Sequence, residues 1–316
     1  MSLKEESEQI RFINKLTDEG IFRELVSEDF AEFEKYSKKT VFGDLSFTAC
    51  YIWEESMHYR VRITPHAIFI LFTDIDHDVD IYVLFEENKP LPPGEITLLK
   101  NHFDKANVPL QFECVSESDL ALFREYPVEY EVSFDDNFSD YIYDNADFIS
   151  LEGKRNSTKR HEYHRFIQRH SNAIFIPCNL NDMTARRDCE LIFDKWCANH
   201  NCGDCLFGCE RKAFSRLNDI YDPEKHIVGI VRENDMPISF GFGEFISDES
   251  VFFHIQKNSE PIDGLTYFLH RNMAERMHPN VKYINWGEDM GLEGIRRNKS
   301  RYHPIELKRK YKVRIK

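Results

Sequence analysis

The periodicity of apolar and polar residues changes along the chain, and the same order of changes occurs twice. In the first half, segments of helical or mixed period precede three segments in which apolar residues alternate or run continuously. Alternation is typical of strands, helical spacing of helices, and Pro and Gly of the turns between them. The predicted elements are a helix at 27–39, a helix or aromatic-rich turn at 45–55, strands at 59–63, 67–72 and 79–85, a helix at 95–106, a strand at 110–115, a short helix at 117–125 and a strand at 128–133.

The second half repeats this order. Its predicted elements are a basic helix at 157–170, a strand at 173–177, helices at 181–198 and 210–220, strands at 227–233, 238–245 and 251–256, a helix at 263–277, a strand at 281–286, a helix at 293–302 and a strand at 305–313. This is the element order of the GNAT acyltransferase fold. We therefore predict an α/β (α+β) class with two tandem GNAT-like domains, whose mixed, mostly antiparallel sheets are flanked by helices. The domains are placed at 1–150 and 151–316, with helix 157–170 as a candidate bridge between them.

Composition narrows the class of protein. The 316 residues are 41% hydrophobic and 30% charged, which is typical of a folded globular protein. No apolar run is long enough to span a bilayer, and the first residues lack the apolar stretch of a signal peptide. We therefore expect a cytoplasmic protein in which the eight cysteines are reduced thiols.

Charge is unevenly distributed. The net charge is −14, which argues against a general nucleic-acid coating protein and against DNA as a partner. Residues 152–170 nevertheless hold six Lys/Arg and two acids, and residues 295–316 hold ten Lys/Arg and one acid. These two basic segments are either solvated faces or part of a site for an anion. The end of the second, 308–316, is either a strand of a sheet, which we favour, or a contact to anionic lipid headgroups.

One motif follows the predicted strand 281–286. Asn285, Glu288 and Asp289 lie in a glycine-rich turn, and Arg296 and Lys299 lie three residues apart on the helix after it. Carboxylates suit an ammonium group, and an Arg fork suits a phosphate. The alternative is a capped helix with surface ion pairs.

A second motif begins helix 157–170. Lys154, Lys159 and Arg160 place cations at a helix N-terminus, where they oppose the helix dipole. A bound anion would relieve that repulsion, with backbone N–H groups as additional donors. The alternative is a solvent-exposed basic helix.

A third motif contains four cysteines and a histidine: Cys197, His200, Cys202, Cys205 and Cys209. Such residues can bind zinc or an iron–sulfur cluster. Only one C-x2-C pair is present, however, so we favour a tight turn with incidental thiols and no metal.

The segment before helix 263–277 lacks a phosphate-binding loop. GNAT domains that use acetyl-CoA have a glycine-rich loop there, whose backbone amides hold the pyrophosphate. Here only Gly264 remains, and Glu260 and Asp263 add negative charge. We therefore expect no bound cofactor and disfavour CoA. Lys257, in the same segment, is a candidate substrate contact.

Over residues 25–312 the chain resembles the bacterial family named for the C-terminal domain of phosphatidylglycerol lysyltransferase. The resemblance rests on Ser46-Phe47 with 51–53, on 140–144, on 151–154 with Lys159-Arg160, and on the pattern from Asn285 through Asp289, Arg296 and Lys299 to Tyr302 and Pro304. It implies a tandem GNAT fold similar to the Fem aminoacyltransferases. It also implies transfer of an aminoacyl group from charged tRNA to a lipid, peptide or small-molecule acceptor.

Under that resemblance each candidate residue has an expected role. Asp289 and Glu288 would bind the α-ammonium of the aminoacyl group, and Arg296 and Lys299 a phosphate. Lys159 and Arg160 would extend a cationic track toward the tRNA 3′ end. Further substrate contacts are expected from Lys154, Asn285, Tyr302 and Lys257. Two alternatives remain: an acyl-CoA-dependent N-acetyltransferase, and a non-catalytic module that binds an anionic ligand.

Overall fold

The computed structural model describes residues 7–37, 42–73, 78–85, 93–123, 129–200 and 208–316. The helices are α1 (Glu8–Asp18), α2 (Phe30–Ser37), α3 (Phe47–Ile52), α4 (Glu54–Met57), α5 (Pro93–Ala106), α6 (Leu120–Phe123), α7 (Asn145–Ser150), α8 (Ser157–Arg169), α9 (Met183–Ala198), α10 (Glu210–Ile220), α11 (Leu265–Ala274) and α12 (Glu293–Ser300). The strands are β1 (Arg23–Glu24), β2 (Arg60–Ile63), β3 (Ala67–Thr73), β4 (Val79–Phe85), β5 (Gln111–Val115), β6 (Tyr130–Phe134), β7 (Asp140–Asp144), β8 (Ala173–Cys178), β9 (His226–Glu233), β10 (Met236–Ser247), β11 (Ser250–Asn258), β12 (Tyr283–Asn285), β13 (Glu306–Lys308) and β14 (Tyr311–Ile315).

These elements form two units, each built on a seven-stranded sheet. Unit 1 comprises Met1–Thr40, Asp44–Phe138 and Arg309–Lys316, and unit 2 comprises Val41–Gly43 and Ser139–Lys308. The strand orders are β1-β2-β3-β4-β5-β14-β6 in unit 1 and β13-β7-β12-β11-β10-β9-β8 in unit 2. In both sheets an antiparallel meander continues into a parallel neighbour, β4 with β5 and β11 with β12.

The core of unit 1 forms because β3 is buried on both faces. All seven of its residues are buried, which is why its sequence is continuously apolar rather than alternating. Phe12 and Leu16 of α1, with Phe103 of α5, pack on this sheet. Each large apolar side chain buried in this way contributes about 1.5–3 kcal/mol.

In unit 2, the parallel strands β11 and β12 part where the candidate turn begins. They pair from Ser250–Tyr283 to Phe252–Asn285, after which β11 continues. The chain following β12 separates from β11 but still bonds Tyr141 of β7, through the Trp286 N–H and the Gly287 carbonyl. The turn with Asp289 therefore starts at a point of divergence between two parallel strands.

The predicted fold class is confirmed: two mixed, mostly antiparallel sheets are flanked by helices. The prediction of one strand over 305–313 was wrong, because the chain forms β13 in unit 2 and β14 in unit 1. Strand β7 was not predicted, and it pairs with β12 and β13. Because β7 and β14 each join the sheet of the other half of the sequence, the units divide at 138/139 and 308/309 rather than at 150/151. Helix α8, the candidate bridge, lies within unit 2.

No helix in the described part of the chain is both long and apolar enough to cross a membrane.

Candidate functional site

A buried carboxylate, Asp289, organises the turn after β12. Asp289 is only 1% exposed. Gly287, Met290 and Gly291 have φ angles of +61°, +56° and +72°, so the chain folds back on itself. The Gly291 N–H then donates to Asp289 Oδ1 at 2.8 Å. Glycine suits two of these three positions because it lacks a Cβ.

Arg296 of α12 holds the same carboxylate in a two-pronged pair. Its Nε donates to Oδ2 and its Nη2 to Oδ1, each at 2.8 Å. The hydroxyl of Tyr141 on β7 also donates to Oδ2, at 2.6 Å. These bonds, led by Arg296 and opposed by burial, lower the pKa of Asp289 to about 2, and the carboxylate raises the pKa of Arg296. The Arg296 side chain remains 41% exposed, so the fixed guanidinium faces solvent on one side.

Lys299 connects α12 to the turn through hydrogen bonds to the turn's backbone. Its buried ammonium donates to the backbone carbonyl of Trp286, and to that of Glu288 at 2.5 Å. The Tyr143 hydroxyl donates to the Lys299 carbonyl at 3.0 Å. Lys299 is therefore engaged in holding the backbone in place.

Asn285 begins the turn and is buried. Its side-chain Nδ2 donates to Asp140 at 2.7 Å, and its Oδ1 accepts from the Gly287 N–H at 2.8 Å. Asn285 therefore links β7 to the turn. The side chain of Glu288 is half-buried.

The start of α8 lies against the end of α12. The Lys159 ammonium donates to the Tyr302 carbonyl at 3.2 Å and lies 5.1 Å from the centre of that ring. Burial lowers the pKa of Lys159 to about 8. Arg160 donates to the carbonyl of Leu151 at 2.5 Å.

The start of α8 and the residues of α12 both carry exposed cations. The His303 ring bonds the Arg155 carbonyl at 2.7 Å, which brings the α8 start beside the residues after α12. Lys154, Arg155 and Arg301 are exposed, and Arg155 also pairs with Asp147. We name Lys154, Arg155, Arg296 and Arg301 the α8–α12 cationic face.

The remaining candidates lie elsewhere in unit 2 or outside the described residues. Lys257 of β11 pairs with Glu210, and its ammonium lies 4.1 Å from the centre of the Trp196 ring. His200 stacks on Trp196 at 4.2 Å. Cys197 and Cys209 line a common cavity, whereas Cys202 and Cys205 lie outside the described residues. The six described cysteines are in no disulfide: Cys50, Cys114, Cys178, Cys189, Cys197 and Cys209.

Sequence reasoning missed Tyr141 and Tyr143 as parts of the site. Their only signal was the 140–144 pattern, which supported a resemblance but suggested no contact. The Tyr141 hydroxyl meets a carboxylate 148 positions away in sequence, and no local spacing predicts that.

Cations of 309–316 pair with acids of unit 1, whereas Lys308 pairs with Glu306 of unit 2. Lys310 donates to Asp44 at 2.5 Å, and Lys312 lies 2.6 Å from Glu113 and 3.3 Å from Asp80. This tail contains strand β14, the alternative favoured from sequence.

Comparison with known proteins identifies relatives of the chain. The sequence profile of the family described as phosphatidylglycerol lysyltransferase, C-terminal, matches residues 39–314. A conserved protein of unknown function from Bacteroides thetaiotaomicron is 23% identical, with a TM-score of 0.82 over 93% of this chain and 99% of that one. No functionally curated protein matches the sequence.

Two further solved structures share the fold. The C-terminal domain of a protein designated a lysylphosphatidylglycerol synthetase, from Agrobacterium fabrum, is 13% identical, with a TM-score of 0.64 over 91% of this chain and 92% of that one. L-PGS from Bacillus licheniformis is 14% identical, with a TM-score of 0.64 over 91% of each chain. At these identities the likenesses show the fold alone.

Proposed function

The chain belongs to the phosphatidylglycerol lysyltransferase C-terminal family, and from that premise we propose that it transfers an aminoacyl group from a charged tRNA to an acceptor nucleophile. Family and fold support an acyltransferase type of function. The finer proposal is carried by one observation: the guanidinium of Arg296 is fixed by a buried carboxylate, and its side chain is nevertheless 41% exposed.

Arg296 is proposed to bind a phosphate at the donor 3′ end. A guanidinium that is already immobilised loses little side-chain entropy when its ligand binds. The Asp289 carboxylate offsets the charge of Arg296, and Asp147 offsets that of Arg155. The exposed cations Lys154 and Arg301 would therefore supply the long-range attraction for the nucleic acid.

Asp289 is then a positioning residue rather than the ammonium ligand expected from sequence. Its two oxygens accept from Arg296 twice, from Tyr141 and from Gly291. A carboxylate with four such donors has little capacity for a fifth.

A tRNA donor rather than CoA is supported by the packing at the start of α11. Gly264 has a φ of +84°, and a Cβ there would lie 2.3 Å from the Glu162 carbonyl oxygen. Helix α8 therefore packs against the α11 N-terminus, where acetyl-CoA-using domains bind pyrophosphate. We propose that CoA is not the donor and that no cofactor is needed.

The reaction needs no covalent enzyme intermediate, because the aminoacyl ester is already activated. The acceptor hydroxyl or amine attacks the ester carbonyl, and the tetrahedral oxyanion then collapses with loss of the ribose oxygen, which takes the acceptor's proton. Positioning and a cation near the oxyanion supply the rate enhancement. The family name favours a lipid headgroup as acceptor; peptides and small molecules are the other classes.

The test is binding of charged tRNA across a salt series, with acetyl-CoA as the competing donor. Each lost phosphate contact to a single strand lowers the slope of log affinity against log salt by about 0.7. We expect this loss in Arg296→Ala and not in Arg297→Ala, whose side chain is 66% exposed and pairs with Glu293. Equal losses in both variants, or binding of acetyl-CoA instead of tRNA, would contradict the proposal.

A non-catalytic anion-binding module is the second candidate. It is favoured by the burial of Lys159 and Lys299, whose ammonium groups bond backbone carbonyls rather than facing a ligand. Transfer of labelled lysine from lysyl-tRNA to vesicles containing phosphatidylglycerol separates the two. Salt-dependent tRNA binding without transfer to any acceptor class would favour the module.

A further inference from the structure

A second arrangement in unit 2 involves Trp196, Glu210 and Lys257. The Lys257 ammonium lies 4.1 Å from the centre of the Trp196 ring and pairs with the Glu210 carboxylate. The lysine side chain is only 10% exposed, and that of Glu210 is 30% exposed. An ammonium is thus held between an aromatic face and a carboxylate, largely out of water.

Stability does not account for this ion pair. A buried pair contributes little compared with apolar side chains of the same volume, because both charges lose their hydration. Apolar neighbours are present, since Phe193 packs against Phe214 and Phe240 at ring distances of 5.6 and 5.1 Å. Lys257 therefore occupies a position whose chemistry is specific for an ammonium group.

Trp196 and Glu210 provide two distinct attractions for such a group. Indole is the aromatic ring that binds cations best, and a carboxylate forms charge-assisted hydrogen bonds with ammonium protons. Glu210 is also the first residue of α10, a position where the helix dipole interacts favourably with an acidic side chain.

A cavity gives a ligand access to both groups. Its volume is about 160 Å³, and it is lined by Phe193, Trp196, Cys197, Gly208, Cys209, Glu210 and Arg211. A cavity of about 150 Å³ holds benzene in another protein. The space therefore suits a short side chain or an aminoacyl group. Its walls include aromatic rings, the Glu210 carboxylate and Arg211, whose guanidinium pairs with Asp194 at 2.8 Å.

Lys257 and the Asp289 turn belong to neighbouring strands of unit 2. Strands β11 and β12 are parallel and pair at Ser250–Tyr283 and Phe252–Asn285. Lys257 lies within β11 and Asp289 follows β12, so both residues come after this pairing in sequence.

We propose that Trp196 and Glu210 bind the primary ammonium of the donor's aminoacyl group, and that Lys257 occupies this position until the donor displaces it. The proposal rests on the proposed function, which supplies a donor with an amino group. On binding, the Lys257–Glu210 ion pair is replaced by one between the ligand ammonium and Glu210, and no covalent bond changes.

Calorimetric titration of the full chain with three small amides and amines tests this. Leucinamide has only an α-ammonium, butylamine only an alkyl ammonium, and N-acetylleucinamide has neither. We expect leucinamide to bind more tightly than N-acetylleucinamide. If the alkyl ammonium is the preferred source, butylamine binds more tightly than leucinamide, and the site takes the donor's side-chain ammonium.

Variants identify the groups responsible. Lys257→Met removes the competing ammonium and should tighten leucinamide binding about tenfold, as expected for a desolvated cation–π contact. Glu210→Gln should reduce leucinamide binding to the level of N-acetylleucinamide. Lys282→Met is the matched control, because Lys282 pairs with Glu249 at 2.5 Å on the exposed surface, and it should bind like the wild type. If Lys257→Met does not fold, Trp196→Phe, which keeps an aromatic ring, should weaken binding several-fold.

Two results would overturn the inference: leucinamide and butylamine both binding no more tightly than N-acetylleucinamide, or an unchanged affinity of Glu210→Gln for whichever of the two amines binds more tightly. The titration contains neither tRNA nor acceptor, so its failure leaves aminoacyl transfer to be judged by its own assay. Conversely, intact leucinamide binding without tRNA binding contradicts the proposed function alone.

Discussion

We expect low pH to reduce the free energy of unfolding of unit 2, because a histidine is buried in its core. His270 on α11 is 1% exposed, and neither ring nitrogen has a hydrogen-bond partner among the described residues. The rings of Trp286, Phe253 and Tyr302 surround it at centroid distances of 4.6, 5.4 and 5.7 Å. This burial lowers the pKa of His270 to about 3.

His226 on β9 behaves in the same way. Burial lowers its pKa to about 4, although Glu244 opposes the shift. A histidine in the unfolded chain has a pKa of about 6.5. Below that pH the two histidines become protonated in the unfolded chain but stay neutral in the folded chain. Their contribution to the free energy of unfolding is therefore fully present above about pH 6.5 and is lost as the pH is lowered. From about pH 7.5 to about pH 5 the loss is about 2 kcal/mol for each histidine, at about 1.4 kcal/mol per pH unit below 6.5.

The assay is urea unfolding at these two pH values, followed by circular dichroism and tryptophan fluorescence. Wild type should lose about 4 kcal/mol through the two histidines, and His270→Phe about 2 kcal/mol less. His161→Phe is the control, because His161 is exposed on α8 and should keep the wild-type pH dependence. The same loss in His270→Phe as in wild type would show that His270 is hydrated or paired, contrary to the packing described.

Three substitutions test other parts of the fold. Asp289→Asn should reduce the free energy of unfolding by about 2 kcal/mol, since hydrogen bonds to a charged group are lost from Arg296 and Tyr141; unchanged urea unfolding would contradict the pairing. Gly264→Ala should lower the free energy of unfolding by about 3 kcal/mol or more, because its Cβ would clash with the Glu162 carbonyl. Gly20→Ala, with a similar φ but open space around it, should cost about 1–2 kcal/mol. Equal melting temperatures for the two variants would be inconsistent with the contact between α8 and Gly264. Lys312→Met should cost about 3 kcal/mol because the buried Asp80 loses its ion pair with Lys312, and Lys316→Met, at an exposed pair, about 0–1 kcal/mol. The reverse ranking in chemical denaturation would contradict the assigned burial.

Local pattern predicted the meanders well, because each strand pairs with its neighbour in sequence. Strands β2 to β4 and β9 to β11 lie close to their predicted bounds, and their order made the fold class predictable. The exchange of β7 and β14 could not be predicted in this way. Strand β14 pairs with β5 about 200 residues earlier, and alternation alone does not indicate which of two sheets a strand joins.

The sequence predicted which residues of the turn and of α12 lie near one another, but not which contacts their side chains make. The spacing from Asp289 to Arg296 and Lys299 placed them near one another, because a turn leads directly into a helix. Spacing does not tell whether a guanidinium is turned toward solvent or toward the neighbouring carboxylate. Here Arg296 pairs with Asp289, and its side chain is still 41% exposed. Lys299 was expected to face a phosphate, yet its ammonium bonds two backbone carbonyls.

The two basic segments have different uses in the fold, and this difference decides where an anion could bind. In the tail, Lys310, Lys312 and Lys316 offset the acids Asp44, Asp80, Glu113 and Glu131 of unit 1, so much of this charge is neutralised within the protein. Around α8 and α12, Lys154 and Arg301 stay exposed, and the chain carries a net charge of −14. The proposed anionic donor would therefore be attracted to the α8–α12 cationic face, where Arg296 is held in place by Asp289 and Tyr141.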